Sequence, residues 1–421
     1  MSETETYDVV VVGGGSAGVA AAVGAARAGA RTLLVEAYGF LGGAATRSSV
    51  LAWCGFFPQR PGPGGGVPPA QLVGGVGAMA LAELEAMGVD VAPYHSATGN
   101  WNIRLDPEAT KVALDRLAEG PGLDLLLHTA LVDVTVRGRR IEALRLRDPR
   151  GLREVTARAH VDCSGEAVLA FAAGATSCPL HAPSGPIQPA SYPVRLGGVA
   201  PRPAFDRAAR TAAMTTIERR LGVAELRADG GFVSILPGTD DIWWLAVEIE
   251  TNGLDGADLT LAERDGRAAV RRGVEALRRV APGFEKATIV ATGPAIGIRE
   301  SRHAATREPL RETALAAGMR RADEVALGGW PMEIHGGPGK VEYRQIGAAG
   351  AYGIPLGALR SADFDDLWFG GRTVGADPAA YASARVMGTA FATGHAAGVA
   401  AALGDDVAAV RTELMRQGAV L

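Results

Sequence analysis

Residues 8–36 read DVVVVGGGSAGVAAAVGAARAGARTLLVE, and this stretch decides the fold. Val9 to Val12 form an uninterrupted apolar run of the kind a parallel strand buried on both faces requires. The run leads directly into Gly13, Gly15 and Gly18, spaced GxGxxG. Gly18, Ala21, Ala22, Ala25 and Gly29 then recur at helical spacing, with side chains small enough to let a helix approach a sheet closely. Thr32 to Val35 read as the next strand, ending at Glu36. In such a unit the first glycine permits the turn, the second brings backbone N–H groups up to a pyrophosphate, and the third lets helix and sheet touch. The helix N-terminus then faces the phosphate charge. Glu36 stands where a carboxylate accepts hydrogen bonds from the two hydroxyls of an adenosine ribose. An acid there disfavours a ribose phosphate, so the turn predicts FAD or NAD in preference to NADP.

Working outward, 421 residues with 48% hydrophobic content permit a substantial core in two domains, or in one domain with a large insertion. The 46 acidic and 42 basic residues leave a formal charge of −4, which predicts no nucleic-acid partner. Cys54, Cys163 and Cys178 are too few and too irregularly spaced for a disulfide framework, and no CxxC suggests a metal site. No metal is expected, and this cysteine usage suits the reducing cytoplasm. The acidic start MSETETYDVVVV reads as the approach to a core strand, unlike a signal peptide. No membrane span is expected either.

The rest of the chain reads as follows. PQRPGPGGGVPP from Pro58 is a loop. Helices are predicted over Gly77 to Met87 and after Asp106-Pro107, and a strand over Leu123 to Leu127. LVDVTVRGRRIEALRLRD from Leu131 carries two alternating runs around Arg137-Gly138, a β-hairpin signal. REVTARAHVDCSG returns through a strand to Gly165. WWLAVEI after Asp241 predicts a strand, AERDGRAAVRRGVEALRRVAP an amphipathic helix with a solvated arginine face, and Ala384 to Leu403 one small-residue helix. The expected fold is α/β: a Rossmann-like parallel sheet with a hairpin insertion and a second, mixed α+β substrate domain. Its expected division is residues 1–175 and 350–421 for the dinucleotide-binding domain and 176–349 for the substrate or cap domain.

Several of these segments carry a resemblance. GGGSAGVAAAVGAARAGA from Gly13, GGAAT from Gly42 to Thr46, VDCSGEAVLAFAAGA from Val161, GIRESRHAA from Gly297 and the run from Tyr352 to Leu403 are similar to the FAD-dependent oxidoreductase family of the glutathione-reductase-like flavoprotein superfamily. The resemblance implies FAD as cofactor. It assigns Gly13, Gly15 and Gly18 to the pyrophosphate and Glu36 to the ribose, with Ser16, Ala17 and Ala37 beside them. Gly42, Gly43 and Thr46 follow the pyrophosphate toward the flavin, and the Val132 backbone meets adenine. Ser164, Gly165, Gly371 and Arg372 lie where the chain re-enters the cofactor domain, Asp377 lies near the ribityl or pyrophosphate, and Arg385 and Val386 start the helix facing the flavin pyrimidine. Cys163 and Ser164 stand in place of the family's Ala-Thr pair, and Glu166 in place of an Asp.

The chemistry this implies is oxidation of a small organic substrate by hydride transfer to flavin N5, with oxygen or another acceptor reoxidising the flavin. Arg385 is the candidate for stabilising negative charge on the reduced ring, as an alternative to a structural helix-end arginine. Arg299, in the Arg299–Glu300–Arg302–His303 cluster, is a candidate substrate anchor or a member of an internal ion-pair network. His335, in a glycine-flanked loop, is a candidate proton acceptor. Trp243, Trp244, Trp330 and Tyr352 line a pocket or fill the core, and Cys54 approaches the flavin or is an inert buried thiol. One GxGxxG and no CxxC argue against a disulfide reductase. A monooxygenase, a reductase of an activated double bond and a flavin-containing non-catalytic partner remain as alternatives, and homo-oligomer formation stays open.

Overall fold

The computed structural model describes residues 5–59, 66–96, 99–175, 187–221, 226–337 and 340–421. Half of the predicted proline-rich loop, residues 60–65, and Cys178 lie outside the described residues. The first strand, β1 (Glu5–Val12), runs into the glycine turn, the helix α1 (Ser16–Arg27) and the strand β2 (Thr32–Val35). β1 pairs in parallel with β2 on one side, Val9 opposite Thr32 and Val12 opposite Val35, and with the Gly151–Asp162 strand on the other. The Leu123–Leu126 strand extends the sheet in parallel beyond β2.

The Gly151–Asp162 strand has two partners along one edge. Its first half pairs antiparallel with Arg140–Asp148, which continues into the predicted hairpin strand Ala130–Arg137. Its last residues pair in parallel with Leu367–Phe369, Phe369 opposite Asp162. The C-terminal part of the chain therefore rejoins the first sheet at the end where β1 delivers its glycine turn. The fold is the α/β one expected, with a Rossmann-like sheet, a hairpin insertion and further antiparallel sheets.

Small residues make this return close. A side chain on Gly394 would overlap the backbone of Ala17, and one on Gly398 that of Ala21, so the Met387–Leu403 helix lies directly against α1. Both helices bury nearly all of their length. A separate antiparallel sheet, in the order Phe232–Ile235, Ile242–Leu245, Val194–Gly197, Thr288–Thr292, packs with the helices Arg207–Leu221 and Gly256–Val280 around its own core, which includes Tyr192, Trp244, Ile217 and Val270.

Two expected elements are broken in the structure. WWLAVEI is two strands, Ile242–Leu245 and Glu248–Ile249, because Arg227 N–H takes the Ala246 carbonyl and Leu226 bridges Val247. The helix expected over Ala384 to Leu403 begins only at Met387; Ala384 instead ends a separate short helix, Pro378–Ala384, and the two meet at 91° across Arg385-Val386. Val386 is extended (φ −73°, ψ 154°), and the Cys54 carbonyl accepts the Gly388 N–H. Among the described residues no single helix is long and apolar enough to cross a membrane. The bent pair passes on length and composition alone, and it is core.

Candidate cofactor and active site

A cleft opens at the C-terminal end of β1 and β2. Its wall includes Gly13, Gly15, Ser16, Ala17, Glu36 and Ala37 from the first unit, Gly43, Ala44 and Arg47 from the following loop, and Ala130 and Leu131 from the hairpin. Ser164, Gly165, Glu166, Gly371, Arg372, Arg385, Met387 and Ala390 close the opposite side.

The glycines act in different ways. Gly13 adopts φ +98°, where a side chain is strained, and a methyl there would also press on the Cys163–Ser164 backbone. Gly18 faces inward: a methyl would overlap the Gly13 carbonyl oxygen. Gly15 is the N-cap of α1 with no side-chain cap and no acid in the first turn, so the first N–H groups of the helix are left for an anion. A methyl on Gly15 meets only the Gly43 Cα, at 3.6 Å. Gly42 bridges Gly15, and its N–H donates to the Gly14 carbonyl at 2.9 Å. A side chain on Gly43 would come to 2.9 Å from the Gly15 Cα, which is why two glycine-rich turns face each other here.

Glu36 is held by a residue the motif leaves unassigned. Its Oε2 accepts the Gly14 N–H at 2.6 Å and its Oε1 the Tyr38 N–H at 2.8 Å. Burial raises its pKa, against the lowering effect of the Tyr38 and Gly14 N–H groups and of Arg47. Each oxygen keeps a second acceptor site, so the carboxylate can still receive ribose hydroxyls.

Three arginines of the cleft wall each carry a buried nitrogen without a hydrogen-bond partner: Arg47 Nε, Arg372 Nη1 and Arg385 Nε. Arg372 Nη2 is paired with Glu166 Oε1 at 2.6 Å, whereas Arg47 lies over the Tyr38 ring at 4.7 Å. Among the described residues Arg47 and Arg385 have no carboxylate within 4.0 Å. Unpaired buried guanidinium nitrogens are costly unless something anionic meets them. Together with the uncapped start of α1 they fit the pyrophosphate and polar ring edge of FAD.

Other expected contacts sit elsewhere. Thr46 Oγ1 donates to the Leu41 carbonyl, and Gly42 packs on Thr46 behind the wall. Val132 is exposed on the hairpin, one residue beyond the lining pair Ala130-Leu131. Asp377 caps the Pro378–Ala384 helix and accepts the Glu312 N–H at 2.7 Å, and Val386 caps the last long helix. Arg299 and His335 do not line the cleft; they are buried together behind its distal end, joined through Glu248. Trp243, Trp244, Trp330 and Tyr352 are core residues. Cys54 is outside the wall, and burial pushes its thiol pKa well up, so it is a neutral thiol. Gly14, Tyr38, Arg47 and the Thr129–Leu131 stretch were missing from the sequence-derived site. The middle glycine of GGG and the arginine after GGAAT were the available signals.

The profile of the family described as FAD dependent oxidoreductase matches residues 8–414. No curated protein matches the sequence significantly. Among solved structures, a geranylgeranyl bacteriochlorophyll reductase-like protein from Thermoplasma acidophilum is 13% identical, with 98% of this chain and 82% of that one covered at a TM-score of 0.49. A flavoprotein/dehydrogenase from Cytophaga hutchinsonii is 14% identical (94% and 78% covered, TM-score 0.49). The p-nitrophenol 4-monooxygenase PnpA from Pseudomonas putida DLL-E4 is 15% identical (72% and 70% covered, TM-score 0.43). With the family profile matching nearly its whole length, the chain belongs to the FAD dependent oxidoreductase family, and its cofactor is FAD.

Proposed function

We propose that this FAD-dependent oxidoreductase works as a cytoplasmic dehydrogenase or oxidase: a small organic donor reduces the flavin directly, and oxygen or another acceptor reoxidises it. The same reading places the chain in the glutathione-reductase-like superfamily on the strength of its glycine-turn and GG-x-x-T elements. The observation that carries the proposal is the distal end of the cleft, where Arg385, Met387 and Ala390 form the wall. Bound FAD supplies a ring that takes up the two electrons of a donor C–H bond and becomes more negative as it does so.

The chain's own residues answer that charge. Among the described residues, Arg385 presents a guanidinium whose Nε has no hydrogen-bond partner and whose Nη2 donates to the Glu333 carbonyl, at 3.4 Å. The Met387–Leu403 helix starts at the same place without a side-chain cap, and its N-terminus adds a partial positive charge. Donors aimed at growing negative charge in a site shielded from water contribute roughly 3 to 4 kcal/mol each. The single GxGxxG leaves no second glycine turn for a nicotinamide dinucleotide, which favours direct reduction by the donor.

The test is anaerobic mixing of the holoprotein with panels of alcohols, amines and hydroxy acids, following loss of flavin absorbance. Bleaching by one donor class at a rate that matches turnover supports the reading. Bleaching at the turnover rate by NADH or NADPH alone replaces it with a monooxygenase or reductase.

A further inference from the structure

Behind the distal end of the cleft, five ionisable side chains from separate parts of the chain form a series of alternating charge. Arg299 Nη2 lies 3.2 Å from Glu248 Oε1, and the same oxygen lies 2.8 Å from His335 Nδ1. On the other side of the ring, His335 Nε2 lies 3.4 Å from Glu333 Oε1. The Glu333 backbone carbonyl then accepts the Arg385 guanidinium that lines the cleft. Glu248, Arg299 and His335 are buried.

A neutral imidazole has one N–H and one lone pair, so between two carboxylates it satisfies one and repels the other. An imidazolium donates to both. Both carboxylates are built to stay ionised. Glu333 accepts the Tyr343 hydroxyl at 2.9 Å and Trp330 Nε1 at 3.0 Å, and Glu248 accepts from Arg299. Burial alone would raise the Glu333 pKa, but His335, Arg385 and Trp330 hold it far below the usual carboxylate range. The remaining groups nearby leave this balance unchanged. Arg227 is closed by Asp229 at 2.9 Å, Tyr343 and Cys54 stay protonated, and Gln188 receives the His335 backbone N–H.

We propose that Glu248 and Glu333 hold His335 as a buried imidazolium, and that this charge, acting beside Arg385, raises the electron affinity of the FAD site. His335 is then a positioning residue that never touches substrate. With it protonated the series carries three cations against two anions, and with it neutral the charges cancel. In a buried setting one unit of charge acts over long distances. The inference rests on the reading of Arg385 given above.

The test is the FAD midpoint potential, measured with a chemical reductant and mediators so that no donor need be known. His335→Gln should shift the reduction equilibrium about tenfold toward oxidised FAD, which is about 30 mV for a two-electron couple. His335→Lys, which restores the cation, should recover most of that shift. Glu333→Gln keeps the carbonyl that holds Arg385 but removes one of the two carboxylates that hold the imidazolium, so the lost anion and the lost His335 proton offset and the potential should stay near the parent's; this variant serves if His335→Gln fails to fold. Equal shifts in the Gln and Lys variants, or a Glu333→Gln equilibrium shifted about tenfold toward reduced FAD, as loss of an anion beside an already neutral imidazole would give, overturn the proposal. An unchanged potential in Arg385→Ala would instead defeat the reading of Arg385.

Discussion

Gly15 and Gly18 belong to one motif, yet the structure separates their roles, and replacing each by alanine should fail in a different way. Gly15 has φ −71°, a conformation alanine adopts freely, and the added methyl meets only the Gly43 Cα at 3.6 Å. Two stability effects nearly cancel there: alanine is a poorer N-cap than glycine by about 0.5–1 kcal/mol, and it lowers unfolded-state entropy by a similar amount. The methyl does, however, stand where an anion approaches the uncapped N–H groups of α1. Losing one charge-assisted hydrogen bond costs about 1.5–3 kcal/mol, which is roughly a 10- to 150-fold weaker FAD affinity. Gly18→Ala instead drives a methyl into the Gly13 carbonyl oxygen. Relief requires moving the turn itself, at about 3 kcal/mol or more of folding stability. The assay is denaturant unfolding of each apoprotein together with FAD titration by fluorescence quenching. Gly15→Ala should keep the parent unfolding midpoint and lose affinity, while Gly18→Ala should lose both. Unchanged FAD affinity in a well-folded Gly15→Ala protein would refute the placement of the pyrophosphate at α1.

Glu36→Gln should destabilise the apoprotein by about 1–3 kcal/mol and weaken FAD binding, because the amide NH₂ must face the N–H of either Gly14 or Tyr38; an unfolding curve identical to the parent would contradict it. Arg385→Ala should slow anaerobic flavin reduction by a saturating donor about 30- to 1,000-fold, the equivalent of about 2–4 kcal/mol, with FAD occupancy nearly unchanged; equal stopped-flow rates would leave Arg385 a structural residue. Burial pushes the pKa values of His160 and His395 down to about 4, so the folded state binds their protons less readily than the unfolded chain does. Their contribution is complete above about pH 6.5 and is lost as the pH falls toward 4, by about 3 kcal/mol per site. His160→Leu should flatten this acid limb, and a parallel melting-temperature profile would count against it.

The parts of the molecule legible in the sequence are those whose cause is local. The β1–α1–β2 unit, the Arg137-Gly138 hairpin and the helix begun by Asp106-Pro107, whose carboxylate accepts the N–H groups of Glu108 and Ala109, are all set by neighbouring residues. The bend at Arg385-Val386 has no such signal. Neither Pro nor Gly stands there, and the break depends on the Cys54 carbonyl, more than 300 positions earlier, taking the Gly388 N–H. A side chain on Gly388 would press on Cys54 and Gly55, so the contact is as close as the backbone permits. The charge series around His335 was invisible for the same reason. Its members come from residues 248, 299, 333, 335 and 385, and a histidine in a glycine-flanked segment looks like an accessible base until both ring nitrogens are seen against carboxylates.

The shared edge of the Gly151–Asp162 strand explains how a departure from the family pattern is tolerated. Where this strand ends, the Asp162 carboxylate accepts the Ser164 N–H at 3.0 Å, the Ser164 hydroxyl at 2.6 Å and the Ala170 N–H at 3.0 Å. Ser164 Oγ in turn accepts the Val168 N–H at 2.9 Å, across the left-handed residue Ala167. These bonds need a hydroxyl at position 164, which serine supplies as threonine does. Position 163 must above all be small and apolar, because a side chain on Gly370 would meet the Cys163 sulfur at 3.1 Å. The Asp162 carbonyl meanwhile receives Thr373 Oγ1 at 2.7 Å, tying the returning chain to this strand and presenting Arg372 opposite Gly165 and Glu166. Cys-Ser in place of Ala-Thr thus preserves both the small volume and the hydroxyl, and the geometry of the cleft passes through Asp162, which lies just before the altered pair.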